Sequence, residues 1–242
     1  MKIAVISDIH GNYDAFVAVL NDIERVGINQ IYCLGDFVDY GPESERVSAL
    51  LRERQIPTVL GNHENALFDD NVLAEFGQLA YESMLITKRL VSSETITYAQ
   101  QLPLYLCLGN MRFVHGAPPD SPHKYVFYLT AKELLEALQS TPQSIIFVGH
   151  THLTGIFEYD GQKLYASQLP RGICQLRPDW RYVINAGSVG QPREINKQAK
   201  YVVFDDQSYQ LETRYITYDP HRTISLIYEL GLPAECAARL VN

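Results

Sequence analysis

The sequence is short of several things that would have marked its class at once. Only four cysteines occur in 242 residues, Cys33, Cys107, Cys174 and Cys236, widely spaced and without a CxxC pair. That spacing excludes a zinc ribbon and a dense disulfide framework. The four read as small apolar fillers of strands and helices in a reducing compartment. No run approaches the roughly 18 apolar residues of a membrane-spanning helix. The opening KIAVIS has no basic region, long apolar segment or small-residue cleavage site of the signal-peptide kind. A soluble, unprocessed, cytoplasmic chain is therefore expected. Basic charge is also scarce: 20 Lys and Arg against 28 Asp and Glu leave a formal net charge of −8. That balance excludes a general attraction to duplex nucleic acid or to an anionic membrane, so any phosphate must be drawn by something local. Gly/Ser-rich linkers and low-complexity tracts are missing too. With 46% hydrophobic and 20% charged residues, 1–242 reads as a single domain.

What is present is an alternation. KIAVIS is a short apolar strand, DIHGNYD a loop, and AFVAVLNDIERVG an amphipathic helix with Phe16, Val17, Leu20 and Ile23 at helical spacing. QIYCLG, ESERVSALLRERQ and PTVLG repeat the strand, helix, strand order, which predicts a parallel sheet with helices on its faces. From about Glu64 to Gln101 the pattern is helical. LYLCLG and MRFVHG then face each other across Gly109 and Asn110 as a hairpin, and AKELLEALQ is a helix capped by Thr130 with Glu133 three positions on. SIIFVGHTH is a buried strand. After His152 the segments TGIFEY, QKLYAS, RYVINAG, AKYVVFD and YQLETRYITY read as strands, and helices are predicted at Pro220–Leu230 and Pro233–Leu240. One domain with two sheets is the simplest arrangement.

The polar residues that follow the apolar strands carry the chemistry. They are Asp8 and His10 in SDIHGN, Asp36 and Asp39 in GDFVDYG, Asn62 and His63 in GNHEN, His115 in VHGAP, and His150 and His152 in GHTH. Each of these loops holds a Gly, and together they contain five of the seven histidines, all but His123 and His221. Residues just after parallel strands converge at the carboxyl edge of a sheet, where ligands bind. A single capping Asp or core His would be unremarkable; a run of such loops points to one site. Mixed carboxylate and imidazole ligands suit Mn²⁺, Fe or Zn²⁺. Their number exceeds the needs of one ion, which points to two ions sharing a bridging carboxylate.

In this order, D-x-H, GDxVD, GNHE, a lone HG and GHTH resemble the calcineurin-like metallophosphoesterase superfamily over residues 3–152. NAGSVGQPR at Asn185–Arg193 resembles a strand-end motif of its compact bacterial and archaeal phosphodiesterase-like members. The resemblance implies a two-sheet α/β sandwich with α-β-β-α layers. It implies that Asp8, His10 and His152 hold one metal, that Asn62, His115 and His150 hold the other, and that Asp36 bridges them. It places His63 beside the scissile phosphate, where it stabilises or protonates the leaving oxygen, with Asp39 orienting it. The implied cofactors are two divalent ions, Mn²⁺ first, with Fe, Zn²⁺, Ni²⁺ or Mg²⁺ as alternatives. Such a pair activates a water for in-line attack and supplies local positive charge inside an acidic protein.

The chain departs from the pattern at one place. Members such as the Ser/Thr protein phosphatases carry Arg after the second Asp of the GDxxD block, where a guanidinium can clamp a phosphate; here that residue is Tyr40. Tyr40 and Arg193 are the candidate substrate-binding residues, with a structural salt bridge as the other reading of Arg193. Tyr13, Tyr40, Tyr125, Phe127 and Tyr128 lie in or near the loops and could stack a base, although core or rim packing is the favoured reading of them. The expected activity is hydrolysis of a phosphomonoester, phosphodiester or phosphoanhydride of a small substrate, a nucleotide among the candidates. Protein phosphatase and nuclease are alternatives within the enzyme class. A non-catalytic scaffold that binds a protein partner is the alternative outside it. Neither long nucleic acid nor membrane is an expected partner.

Overall fold

The computed structural model describes residues 1–241. Its first half runs β1 (Lys2–Ile6), α1 (Tyr13–Arg25), β2 (Gln30–Cys33), α2 (Ser44–Glu53), α3 (Asn62–Phe68), α4 (Asp70–Ala74), α5 (Gln78–Leu90), α6 (Ser93–Gln100), β3 (Tyr105–Leu108) and β4 (Met111–Val114). The second half runs α7 (Ala131–Ser140), β5 (Ile145–Val148), β6 (Thr154–Tyr159), β7 (Leu164–Ser167), β8 (Gly172–Gln175), β9 (Arg181–Ala186), β10 (Ala199–Asp205), β11 (Gln210–Ile216), α8 (His221–Glu229) and α9 (Ala234–Ala238).

These strands make two sheets, in the order β2-β1-β10-β11-β8 and β3-β4-β5-β9-β6-β7. Alternation along β1 shows how the layers form. Ile3 and Val5 point between the sheets, where they join Val202 and Phe204 of the first sheet and Phe113, Phe147 and Ile184 of the second. Ala4 and Ile6 point the other way, toward Phe16, Val19 and Ile23 of α1 and Val47 and Leu51 of α2. On the outer face of the second sheet, Leu134 and Leu138 of α7 cover Val114, Ile146, Val148 and Val183. The result is the expected α-β-β-α order. Burial of each such Val, Leu, Ile or Phe contributes about 1.5–3 kcal/mol.

The predicted local signals mostly hold. Asn12 begins α1 by accepting from the Ala15 amide at 3.1 Å. Thr130 and Glu133 form the reciprocal cap of α7. The Gly109–Asn110 turn joins β3 to β4, with Leu108 opposite Met111.

Four expectations are corrected. The sheets are mixed rather than parallel: β1 pairs with β2 in parallel but with β10 antiparallel, because the late strands return through tight turns instead of helical crossovers. PTVLG is not a strand but a single parallel bridge between Cys33 and Thr58; Pro57 lacks the amide that a ladder needs. The helical stretch from Glu64 is divided into α3 to α6, with breaks at Asp69, Gly77 and Val91–Ser92. Finally β8 was not foreseen, since GICQ is short and pairs only through β11 at the edge.

Candidate metal centre

The site is assembled where β1, β2, β4 and β5 end. The loops after them are laced by backbone hydrogen bonds: Asp8 N–H to Gly35 O at 3.1 Å, His10 N–H to Asp36 O at 2.9 Å and Gly149 N–H to His115 O at 2.7 Å. Side chains join in, with the His150 amide donating to Asp8 Oδ2 and the His63 amide to Asp36 Oδ1, both at 3.0 Å. Among the described residues nine non-glycine positions have positive φ, and seven are here: Asp8, His10, Asp36, Asp39, Tyr40, His150 and His152. Each costs about 1–2 kcal/mol relative to ordinary backbone, and strain of this kind persists only where surrounding contacts over-determine it. Gly61 and Gly149 complete the packing, because a Cβ at either would collide with the side chain of Asp36 or Asp8.

Hydrogen bonds on the outer side of each imidazole decide what it presents inward. His10 Nδ1–H donates to Val38 O at 2.9 Å, His152 Nδ1–H to Gln191 O at 2.6 Å and His115 Nδ1–H to Leu34 O at 2.7 Å. His150 is turned over, with Nε2–H donating to His123 O at 3.1 Å. In the neutral rings the inward nitrogens therefore carry lone pairs, and they come close: His10 Nε2 to His152 Nε2 and His115 Nε2 to His150 Nδ1 are both 3.1 Å. Asn62 Oδ1 is also 3.1 Å from His115 Nε2. Lone pairs so placed repel one another unless a cation lies among them, and outer hydrogen bonds of this type are how proteins orient metal-binding histidines.

Two carboxylate oxygens complete the arrangement. Asp8 Oδ1 and Asp36 Oδ2 are buried and make no hydrogen bond, although His152 Nε2 stands 3.3 Å from the first and His115 Nε2 3.0 Å from the second. Asp8 with His10 and His152, and Asp36 with His115 and His150, each offer donor atoms within 4.8 Å of one another. The donor set fits a pair of divalent cations. Burial pushes His10 well below its usual pKa and His150 down to about 3, with neighbouring imidazoles adding to both effects. They stay neutral, as metal ligands must. At His115 burial acts downward, but Asp36 outweighs it and raises the group to about 9. A cation bound there would displace that proton.

His63 differs from the others in its partner. Its Nδ1 meets Asp39 Oδ2 at 2.8 Å, a carboxylate rather than a carbonyl. Asp39 Oδ1 in turn accepts from Ser83 Oγ at 2.6 Å and Thr87 Oγ1 at 3.0 Å. Burial lowers the His63 pKa, yet Asp36 and Asp39 together raise it above the ordinary value. A third set of donors, His10, Asp36 and His63, also lies within 4.8 Å, so distance alone does not separate His63 from the ligands. One residue of GNHE had no expected role: Glu64 is fully buried and accepts from the amides of Asp36, Phe37, Val38 and Gly61 at 2.7–3.1 Å. It ties the Asp36 loop to the start of α3. Its place in the first turn of that helix was the available signal.

The model of the calcineurin-like phosphoesterase superfamily domain matches residues 1–208. The chain belongs to that superfamily. An uncharacterized protein of Methanocaldococcus jannaschii is 33% identical over 243 residues, covering 98% of this chain and 96% of its own. The crystal structure of a metallophosphoesterase from Sphaerobacter thermophilus superposes with a TM-score of 0.85 at 29% identity, covering 99% of this chain and 98% of that one. A hypothetical protein from Pyrococcus horikoshii shares the fold, with a TM-score of 0.78 at 17% identity and coverage of 100% and 98%. The two-sheet sandwich is thus the calcineurin-like phosphoesterase fold, and no helix among the described residues is long and apolar enough to cross a membrane.

In this chain a pocket of about 390 Å³ opens over Asn62, His63 and His150, walled by Val72, Phe76 and Leu79. Tyr40 lines it from within, its ring 4.7 Å from that of His10 and 4.8 Å from that of His63. Tyr125 lies stacked on His150 with 3.8 Å between centroids. The other aromatics go elsewhere: Tyr13 lies under the Arg46 guanidinium, Phe127 lines a second cavity, and Tyr128 is 76% exposed. Arg193 does not line the pocket over His63. It is exposed, borders the adjoining cavity of about 820 Å³ beside Thr151 and Asn185, and donates its amide weakly to His152 O at 3.4 Å. His221 begins α8 and pairs with Asp219 on the surface.

Proposed function

We propose that the protein is a metal-dependent phosphoesterase that hydrolyses a P–O bond of a small phosphorylated substrate. The observation that carries this reading is the meeting of inward lone pairs on four histidines and Asn62 with two buried carboxylate oxygens that make no hydrogen bond. In it Asp8, His10 and His152 would hold one cation, Asn62, His115 and His150 would hold the other, and Asp36 would serve both. Two divalent cations supply Lewis acidity, neutralising phosphate oxygens and making water a competent nucleophile near neutral pH. Mn²⁺ is the favoured ion, because the donors mix imidazole with carboxylate and amide oxygen.

The chain's own groups do the rest. His63, on the pocket floor, holds a proton on Nε2 at the point where a leaving oxygen needs one. Asp39, locked by Ser83 and Thr87, keeps the imidazole in that tautomer and orientation. Glu64 holds the Asp36 loop in its strained conformation. The apolar wall of α4 and α5 excludes water from one side and receives the alcohol portion of the substrate.

The test is metal analysis of purified protein followed by hydrolysis of p-nitrophenyl phosphate and bis(p-nitrophenyl) phosphate with added Mn²⁺. Bound metal with turnover of at least one ester is expected. Metal-loaded protein inert toward both, with every divalent ion tried, would sink the proposal.

A further inference from the structure

Among the described residues, the pocket over His63 is lined by one guanidinium and no ammonium, and that guanidinium comes from the far end of the chain. Arg239 closes α9 and lines the pocket beside Asn62, His63 and His150. Its position is built. Cys236, Ala237 and Leu240 pack with Ile227, Leu232 and Tyr40 in one apolar cluster, which docks the C-terminal segment against the residue that follows Asp39. Arg239 Nη1 donates to Gln191 Oε1 at 3.2 Å. The guanidinium carbon stands 5.7 Å from the centroid of the Tyr40 ring, within cation–π range. Gln191 itself holds His152 through its carbonyl, so one residue orients both a candidate ligand and the arginine. No carboxylate among the described residues pairs with Arg239, and of the five N–H donors of its guanidinium only one is used in the hydrogen bond to Gln191. Glu75 is the pocket's one acidic lining residue.

We propose that Arg239 is a positioning residue that grips the non-reacting oxygens of a terminal phosphate and makes the site prefer phosphomonoesters to phosphodiesters. The inference rests on the phosphoesterase reading above. A guanidinium fork binds two oxygens of one phosphate at once. A monoester near neutral pH carries about 1.5 to 2 negative charges; a diester carries less charge, offers one fewer free oxygen and sets a second ester group against the guanidinium. Tyr40 brings no charge after Asp39, and its ring serves instead as the platform on which the charge arrives from elsewhere.

The experiment compares the full chain loaded with Mn²⁺ with Arg239→Ala and Arg239→Lys. It measures kcat and KM for p-nitrophenyl phosphate and its bis ester, affinity for inorganic phosphate by calorimetry, metal content and thermal midpoint. Loss of charge-assisted hydrogen bonds predicts phosphate affinity weaker by about 10- to 100-fold in Arg239→Ala and a matching rise in KM for the monoester. The diester KM should stay nearly constant, and lysine should restore part of the loss. An arginine that merely fastens the C-terminal helix would lower the thermal midpoint and depress both esters alike. That result, or unchanged phosphate affinity, overturns the proposal. Wild-type protein that binds phosphate through Arg239 yet hydrolyses neither ester would overturn the phosphoesterase reading while leaving the arginine as an anion ligand. Turnover of both esters with an unaltered preference in Arg239→Ala would overturn the arginine's role alone.

Discussion

The floor of the site and its outer wall are made from different kinds of chain. The floor, Asp8, His10, Asp36, Asn62, His115, His150 and His152, lies just after strand ends and at the start of α3, with Asp8, His10, Asp36, His150 and His152 in left-handed backbone held by hydrogen bonds between loops. The wall comes from α4, α5, the loop around His123 and Tyr125, and Arg239 at the end of α9. On the floor each histidine is oriented by a carbonyl behind it and the two carboxylates accept backbone amides, so little can move. The wall is held by side-chain packing, as in the Tyr40, Ile227 and Cys236 cluster. Orienting the candidate ligands and shaping the pocket are thus assigned to separate parts of the molecule.

The sharpest way to break that contrast is on the floor. Asp36→Ala removes the shared carboxylate, and loss of at least one cation with a fall in kcat/KM of about a thousandfold or more is expected, since metal-pair charge stabilisation is worth several kcal/mol. Metal analysis decides it: two ions still tightly bound would make the bridging assignment wrong. His63→Ala should keep both ions and lose about 100- to 10,000-fold in kcat. Full turnover in a metal-replete variant would remove His63 from the mechanism. Glu64→Ala probes the frame beneath the floor. It strands amides of Asp36, Phe37, Val38 and Gly61 that the carboxylate now satisfies, and a loss of about 3 kcal/mol in urea unfolding is expected; a loss below 1 kcal/mol by the same measurement would show that the loops hold themselves. Thr130→Ala is the smallest change and lies outside both regions. Losing that cap should cost about 1 kcal/mol of stability and leave kcat/KM unaltered, whereas a drop in activity would show coupling from α7 to the site.

Legibility followed the same division. The metal-centre candidates and His63 could be read because each loop follows a short apolar run, and four of those runs are strands that meet at one edge, while PTVLG before Asn62 and His63 is a single bridge beside them. The resemblance implied the layers, and alternation along β1 shows how they form. Glu64 stood within a quoted motif but went unassigned, since nothing local announces that its carboxylate faces four amides of two segments. Arg193 drew attention by following a strand-end motif, yet it borders the neighbouring cavity. Arg239 carried no signal at all. It lies 199 positions beyond Tyr40 in a short terminal helix, and only docking of that helix brings the two together.

By itself, the sequence determined the alternation of strands and helices, the candidate ligands and the ordered motifs that carry the family resemblance, because hydrophobic periodicity and local polarity act wherever the chain goes. The tertiary structure alone decided which ring nitrogen of each histidine faces inward, which strands run antiparallel, and which arginine overlooks His63. Those depend on the carbonyl, the strand or the apolar patch that folding places opposite, and such neighbours are hundreds of ångströms of contour away until the core closes.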